Sequence, residues 1–519
     1  MRKLEIIFTS DTHGHIFPVN YPAGRADASG LLNMASQIEK DGNTLMIDGG
    51  DSLQGTPFIQ YYREHQKECQ ALLSGGNGTS LHPVAEAFRA LGCDYFTLGN
   101  HDFNFGYEFL ADYVKAMGVP CVCANVEDLG GKLPIHKEVV RVLENGLRVG
   151  ITGIVTDWVN IWERKENLEL LRVTDPVKAA RESLERLGRE ACDVTVCVYH
   201  GGFEEDLENG KLLSDSGENV ACQIARELDF DVLLTGHQHM PVAGKMLYGT
   251  WAVQPPAGAS KYVHLHAEIS DEEKIFASSL ESVGEKHNEE PYASLYPLEH
   301  AVQTWLDEPV GALSSEIEPE EKLPAGRYGS RLAELFNQVQ LERTGADISC
   351  ASLGNDPAGL KQSVTMRDIC GAYLFDNTLV ELEVNRDVLR QMLERCASYF
   401  DLVDGKVVIS DRFLKPKIEH YNYDFFSGIR YTFDLSRPVG ERVTELLLAD
   451  GTELGDRTYR LVTNNYRATG TGGYPFLADC KVLWRGTEEM PEMLAKYIQR
   501  HNPADVERRA LITVLPEEK

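Results

Sequence analysis

Five short apolar runs in the first half of the chain each stop abruptly at an aspartate, an asparagine or a histidine. No other feature of the sequence constrains the fold as much. "LEIIFTS" is followed by Asp11-Thr-His13, "TLMIDGG" by Asp51, and "YFTLGN" closes on Asn100 with His101 and Asp102 next in line. "VTVCVY" leads into His200-Gly-Gly, and "VLLTG" into His237-Gln-His239. These runs are rich in β-branched and aromatic residues, and helical patterns such as "HPVAEAFRALG" and "DPVKAARESLERLGREA" separate them. They read as the strands and helices of a layered α/β domain. In such sheets the carboxyl ends of the strands form the ligand crevice, so side chains far apart in sequence can converge there.

Taken singly, each ending has an ordinary explanation. Asp11-Thr-His13 and the Asp51 that follows a glycine pair suit turns, Asn100 or Asp102 suits a helix cap, and His237 and His239 suit surface histidines. Five successive strand ends of ligand type are better explained together, as a metal cluster. Gly49, Gly50, Gly99, Gly201 and Gly236 let the backbone pass close to it. Two divalent ions roughly 3.5–4 Å apart can clamp the attacking and leaving oxygens of a phosphoryl displacement. A shared carboxylate offsets their repulsion, and Asp51 is the candidate bridge. Oxygen and nitrogen donors without thiolate suit Mn, Fe, Co or Zn better than a soft ion such as Cu(I).

At 519 residues the chain exceeds the growth range of one hydrophobic core, so two domains are expected. The second half changes rhythm. Helices ("SRLAELFNQVQLERTG", "RDVLRQMLERCASYF") mix with strands ("TLVELEV", "IRYTFDL", "RVTELLLAD", "YRLVTNN") in an α+β pattern. The expected division is a catalytic domain over 1–285, a connecting helix and turn over 286–312, and a substrate domain over 313–519. A net charge of −29 disfavours polymeric nucleic acid as a partner. It would also repel a small anionic substrate unless cations sat at the site. There is no apolar stretch long enough to span a membrane, and the N-terminus enters a strand pattern without an export segment. The eleven cysteines, many within apolar runs, read as buried thiols in a reducing compartment, the cytoplasm.

The ordered set Asp-x-His, Gly-Gly-Asp, Gly-Asn-His-Asp, His-Gly-Gly and Gly-His-x-His resembles the calcineurin-like metallophosphoesterases over roughly residues 5–270. The resemblance implies a β-sandwich flanked by helices and a pair of divalent ions. One ion would be held by Asp11, His13, Asp51 and His239, the other by Asp51, Asn100, His200 and His237. His101, by the same resemblance, is not a ligand. It would stabilise charge on the phosphate or protonate the leaving oxygen while a metal-bound hydroxide attacks in line.

"LFDNTLVELEV", "HYNYDFFSGIRYTFDLSRPVGERV" and "LVTNNYRATGTGGYPFL" resemble the substrate domain of the 5′-nucleotidase and 2′,3′-cyclic-nucleotide phosphodiesterase branch. In that branch two aromatic rings sandwich the base, and the matching positions here are Tyr423 and Tyr466. Tyr421, Tyr431 and Phe433 look like strand packing. Asn464, Asn465, Gly472 and Gly473 would lie near ribose and phosphate. Two departures bear on substrate. Asn104 stands where many 5′-nucleotidases have an aspartate supporting the catalytic histidine, and the turn "ASLGNDPAGL" carries no arginine. Both are more like the 2′,3′-cyclic phosphodiesterase/3′-nucleotidase members. A small nucleotide is therefore the expected partner, with a hinge at "YPLEHAVQTWLDEPVG". A nuclease or protein phosphatase could use the same N-terminal site, though a nuclease would want a basic groove. A nucleotide sensor would keep the tyrosines and lose ligands.

Overall fold

The computed structural model describes all residues except 74–80, 214–215, 271, 285–291, 376, 416, 509–510 and 517–519. Among the described residues no helix is long and apolar enough to cross a membrane. The chain forms two compact units, residues 1–20 with 24–302 and residues 21–23 with 303–519. The start of the expected linker, 286–291, lies outside the described residues. The division itself falls within the helix Tyr296–Leu306, and the expected turn beyond it is a strand, Pro309–Ala312, paired with Ser363–Thr365.

The first unit is built on two sheets. One has seven strands in the order Lys274–Ser282, Lys261–Ile269, Arg2–Thr9, Thr44–Asp48, Tyr95–Phe96, Cys121–Val122 and Ile135–His136. The other has six, in the order Val242–Leu247, Thr250–Gln254, Val232–Thr235, Val194–His200, Arg148–Val155 and Glu138–Val142. They face each other across one apolar core. Leu4, Ile6, Phe8, Leu45 and Ile47 of the first sheet pack with Val149, Ile151, Val196, Val198 and Leu234 of the second. The opposite face of the second sheet is also covered. Cys197, Tyr199 and Leu233 pack there with Ala179 and Ala180 of the helix Pro176–Arg189 and Ile224 of the helix Ala221–Glu227. Burial on both faces explains why these strands read as unbroken apolar runs.

Register places the ligand-bearing ends together. Arg2–Thr9 runs parallel to Thr44–Asp48, which runs parallel to Tyr95–Phe96, so Asp11, Asp51 and Asn100 leave the sheet at one edge. Val194–His200 is parallel to Val232–Thr235, which delivers His200 and His237 side by side from the second sheet.

The second unit centres on a five-stranded sheet in the order Asp424–Ser427, Ile348–Ser352, Tyr459–Asn464, Thr378–Val384 and Lys481–Glu489. Its two faces bury separate cores. Cys350, Leu382 and Leu461 look one way, with the helix Arg386–Ala397 above them, and Ala351, Leu379 and Val462 look the other, toward the helices Arg331–Thr344 and Met490–Arg500. A fully buried ion pair ties this unit together at Arg467 and Asp424. Arg467 Nε lies 2.9 Å from Asp424 Oδ2, and Nη2 donates to Oδ1 at 3.1 Å. The same guanidinium donates to the carbonyls of Tyr421 and Thr471, each at 2.9 Å, and lies 4.1 Å above the Tyr474 ring. A buried carboxylate stripped of its counter-charge is costly. Arg467→Met should therefore lower the stability of this unit by about 3–5 kcal/mol, measured by denaturant unfolding with circular dichroism. A loss below about 1 kcal/mol would show that the pair is energetically idle.

Candidate dinuclear metal centre

The strand ends of the first unit bring the seven expected ligands into one cleft, in two groups. Asp11, His13 and His239 have their donor atoms within 4.8 Å of one another, as do Asp51, His200 and His237. Asn100 joins the second group. Its Oδ1 lies 2.8 Å from His237 Nδ1 and 3.2 Å from His200 Nε2. Asp51 Oδ2 is 3.1 Å from the same His200 Nε2, and Asp11 Oδ1 is 4.0 Å from it and 3.3 Å from His239 Nε2. The two groups are therefore contiguous through the carboxylates of Asp11 and Asp51.

Each imidazole aimed into the cleft is fixed from behind where its second nitrogen has a partner. His13 donates from Nδ1 to the Gln54 carbonyl at 2.8 Å, and His200 from Nδ1 to the Gly49 carbonyl at 2.7 Å, which leaves both Nε2 lone pairs for the cleft. His237 is turned the other way. Its Nε2 meets Glu218 Oε1 at 2.9 Å, so Nδ1 is the nitrogen it offers, and the Trp162 ring stacks on it at 5.4 Å. Carbonyl or carboxylate partners of this kind select the tautomer and orient the ring of a metal-binding histidine. Such a donor set fits divalent cations.

Electrostatics point the same way. Asp11 and Asp51 are buried, which opposes their charge, yet the neighbouring imidazoles hold both carboxyls well below the usual carboxylate range. Burial lowers His13 to about 3, so it stays neutral with a lone pair to give. Burial also opposes a charge on His200, but Asp51 and Asp11 outweigh it and push this imidazole up to about 10. In the absence of metal, a proton thus occupies the place where the carboxylates demand positive charge. A divalent ion satisfies the same demand.

The backbone is strained to make this arrangement. Among the described residues nine non-glycine residues have positive φ, and five of them are Asp11, His13, Asp51, His237 and His239. Strain concentrated on ligand positions is typical of a site that its scaffold over-determines. Gly50, at φ 91°, passes so close to Gly99 that a Cβ would lie 2.2 Å from its amide nitrogen, which is why Asp51 and Asn100 can share one cleft.

Asp102 is not among the ligands. It accepts hydrogen bonds from the backbone N–H groups of Asp51, Ser52, Leu53 and Gly99 at 2.7–3.1 Å and so clips two ligand loops together. Burial and the Asp51 charge raise its carboxyl to about 6. His101 lies beside the cluster, its ring 5.5 Å from that of His13, with Nδ1 against Asn104 Oδ1 at 2.8 Å. Sequence reasoning missed the supporting roles of Asp102, Glu218 and Trp162. Only Asp102 had a local signal, its place beside His101.

The second unit corrects several expectations. Tyr423 is 2% exposed, packs among Tyr399, Phe400 and Phe425, and donates its hydroxyl to the Gly326 carbonyl at 2.8 Å, so its ring is core. The ring that faces Tyr466, at 6.5 Å, belongs to Tyr421, two residues earlier and half-buried, with the more exposed Phe375 6.3 Å from it. Asn464 is buried as a helix cap, accepting from Arg467 N at 2.7 Å. Asn465 accepts from Thr378 N at 3.1 Å. Gly472 and Gly473 have positive φ in a turn packed against Arg467 and Arg395, and the Gly472 carbonyl accepts from Arg395. Asn464 and the two glycines thus have structural roles of their own.

Residues 4–241 match the family model of the calcineurin-like phosphoesterases, and residues 315–479 match that of the 5′-nucleotidase C-terminal domain. A trifunctional nucleotide phosphoesterase protein of Bacillus subtilis (strain 168) is 26% identical over 95% of this chain, which covers 38% of that protein's length. A 2′,3′-cyclic-nucleotide 2′-phosphodiesterase/3′-nucleotidase of Haemophilus influenzae is 24% identical over 96% of this chain and 84% of its own. A Staphylococcus aureus structure in complex with alpha-ketoglutarate, provisionally described as a 5′-nucleotidase, superposes with a TM-score of 0.87 at 28% identity, covering 99% of this chain and 100% of that one.

Asp51 belongs to the second group, and its carboxylate and that of Asp11 both approach His200 Nε2. Asp51→Asn should reduce bound metal from about two ions per chain to one or none after dialysis, by elemental analysis. Retention of both would show that Asp51 is not a ligand.

Proposed function

Because the chain belongs to the calcineurin-like phosphoesterases that carry a 5′-nucleotidase C-terminal domain, we propose that it hydrolyses small nucleotide esters, with 2′,3′-cyclic nucleotides and 3′-nucleotides as its preferred class. The observation that carries this reading is the two contiguous ligand groups of the first unit, and the second unit by itself offers a half-buried aromatic pair, Tyr421 and Tyr466, whose rings meet edge-on at 6.5 Å. The substrate preference rests on Asn104 behind His101, on the arginine-free turn 351–360, and on the name of the Haemophilus influenzae relative.

When bound, two divalent ions, drawn from Mn, Fe, Zn or Co, lower the pKa of an attacking water and neutralise charge on the ester. In this reading Asp11, His13, Asp51 and His239 would hold one ion, and Asp51, Asn100, His200 and His237 the other. His101 keeps its Nδ1–H on Asn104 and works through Nε2: the doubly protonated ring gives its Nε2 proton to the leaving oxygen and returns to the neutral Nδ1–H tautomer. Tyr421 and Tyr466 stack on the base, a contact tolerant of base identity and worth about 1–3 kcal/mol per base. Nine of the eleven cysteines are buried, which supports the reading of interior thiols in a reducing compartment such as the cytoplasm.

The test is a parallel assay of 2′,3′-cyclic AMP, 3′-AMP, 5′-AMP and bis-p-nitrophenyl phosphate with added Mn²⁺. The cyclic nucleotide should turn over fastest, and hydrolysis of the chromogenic diester alone would remove the substrate claim. On the preferred substrate, His101→Ala should lower kcat by about 10²–10⁴ with metal content unchanged. Parallel loss of metal would make His101 a ligand instead.

The two tyrosines separate cleanly. Tyr421→Ala should raise KM by about 5- to 100-fold with little change in melting temperature. Tyr423→Ala should destabilise the unit by about 3–5 kcal/mol, as other large-to-small core changes do. The reverse pattern would restore Tyr423 to the base.

A further inference from the structure

Behind His101 and Asn104 lie groups that the reaction as described does not use. Asn104 Oδ1 meets His101 Nδ1, and on its other side Asn104 Nδ2 donates to Glu163 Oε2 at 2.7 Å. Glu163 follows directly on the short helix Val159–Trp162, whose last residue stacks on His237. The second oxygen of Glu163 is also taken, by the Arg164 N–H at 2.6 Å and by Asn167 Nδ2 at 2.8 Å. Asn167 Nδ2 and Arg164 Nη2 in turn donate to the Asn104 carbonyl, at 2.9 and 3.3 Å. Asn104 is therefore held at both its backbone and its side chain. Burial raises the Glu163 carboxyl above its ordinary range, while these N–H donors and the Arg164 charge favour the anion.

The carboxylate settles a question that an amide alone leaves open. An asparagine side chain fits one site in two orientations that exchange its donor and its acceptor. A carboxylate accepts only, so Asn104 must turn its NH₂ group to Glu163 and its oxygen to His101. That oxygen is an acceptor, so His101 Nδ1 must carry hydrogen, and Nε2 is the atom left for the ester. The N–H···O⁻ bond at Glu163 also pushes electron density toward Oδ1, which strengthens its hold on the imidazole N–H.

We propose that Glu163 is a positioning residue for phosphoester hydrolysis, acting through Asn104 to keep hydrogen on Nδ1 of His101 and to present Nε2 to the leaving oxygen. The inference rests on the functional reading above. It makes Glu163 the counterpart of a carboxylate set directly on the histidine, moved one amide further back.

The test compares wild type, Glu163→Gln and the double variant Asn104→Asp/Glu163→Gln, all loaded with Zn²⁺. It measures kcat and KM on 2′,3′-cyclic AMP and bis-p-nitrophenyl phosphate, together with metal content and melting temperature. Glu163→Gln should lower kcat about tenfold, within the range known for partners of site histidines, with KM and metal content unchanged. In the double variant the carboxylate introduced at position 104 accepts directly from His101 Nδ1 and from the amide introduced at position 163, so most of the lost kcat should return. Wild-type kcat in Glu163→Gln overturns the proposal, as does a loss that the double variant fails to recover or that tracks metal content. In ¹⁵N-histidine NMR, His101 should be the Nδ1–H tautomer in wild type and a mixture in Glu163→Gln, and the same tautomer in both refutes the role. If wild type turns over neither substrate the functional reading falls, and the NMR comparison still decides the role of Glu163.

Discussion

Two buried carboxylates, Asp11 and Asp51, set the terms for the rest of the first unit. Each is at most 1% exposed, and together they form an acidic focus that no protein would retain without compensation. Part of that compensation comes from imidazoles, which is why His200 binds a proton so tightly when only protein surrounds it. The remainder is a demand for cations. The helices over the second sheet, the close approach of Gly50 to Gly99 and the clip made by Asp102 all keep the two carboxylates where that demand cannot relax.

This also reconciles an acidic chain with an anionic substrate. At physiological ionic strength the Debye length is about 8 Å, so most of the formal charge of −29 is screened from a nucleotide within the cleft. The charges that count are those in contact with it, and there the imidazoles and their cations offset the carboxylates. Recognition of the phosphate then depends on local balance, while the acidic exterior disfavours long polyanions.

The first unit was legible because its functional groups sit at the ends of strands. A run of apolar residues advertises itself, and the residue that ends it is known to within a position or two, so Asp11, Asp51, Asn100, His200 and His237 could be picked out before any coordinates. The second unit offered no such marker. Tyr421 lies in a single helical turn, His420–Asn422, ahead of the strand that begins at Asp424, and Tyr423 lies between the turn and the strand. Periodicity does not say which of two tyrosines so close together points inward. Asn464 illustrates the same limit, since an asparagine that caps a helix and one that binds a ligand have identical sequence signatures. Glu163 and Glu218 reach the site only through space, from loops whose polar composition is that of any surface.

Asn104 shows why a departure from a family pattern need not be a loss. The cleft already holds Asp11 and Asp51, with Asp102 beside them, its carboxyl raised partly by the Asp51 charge. A further carboxylate in direct contact with His101 would orient the ring as well, but would add to that repulsion and favour the imidazolium form. An amide keeps the directional bond without the charge, and Glu163 supplies the polarity from one bond further off. The arrangement favours orientation over charge stabilisation. On the proposed reading, that suits an imidazole that surrenders a proton to a departing alkoxide while bound cations carry the electrostatic load.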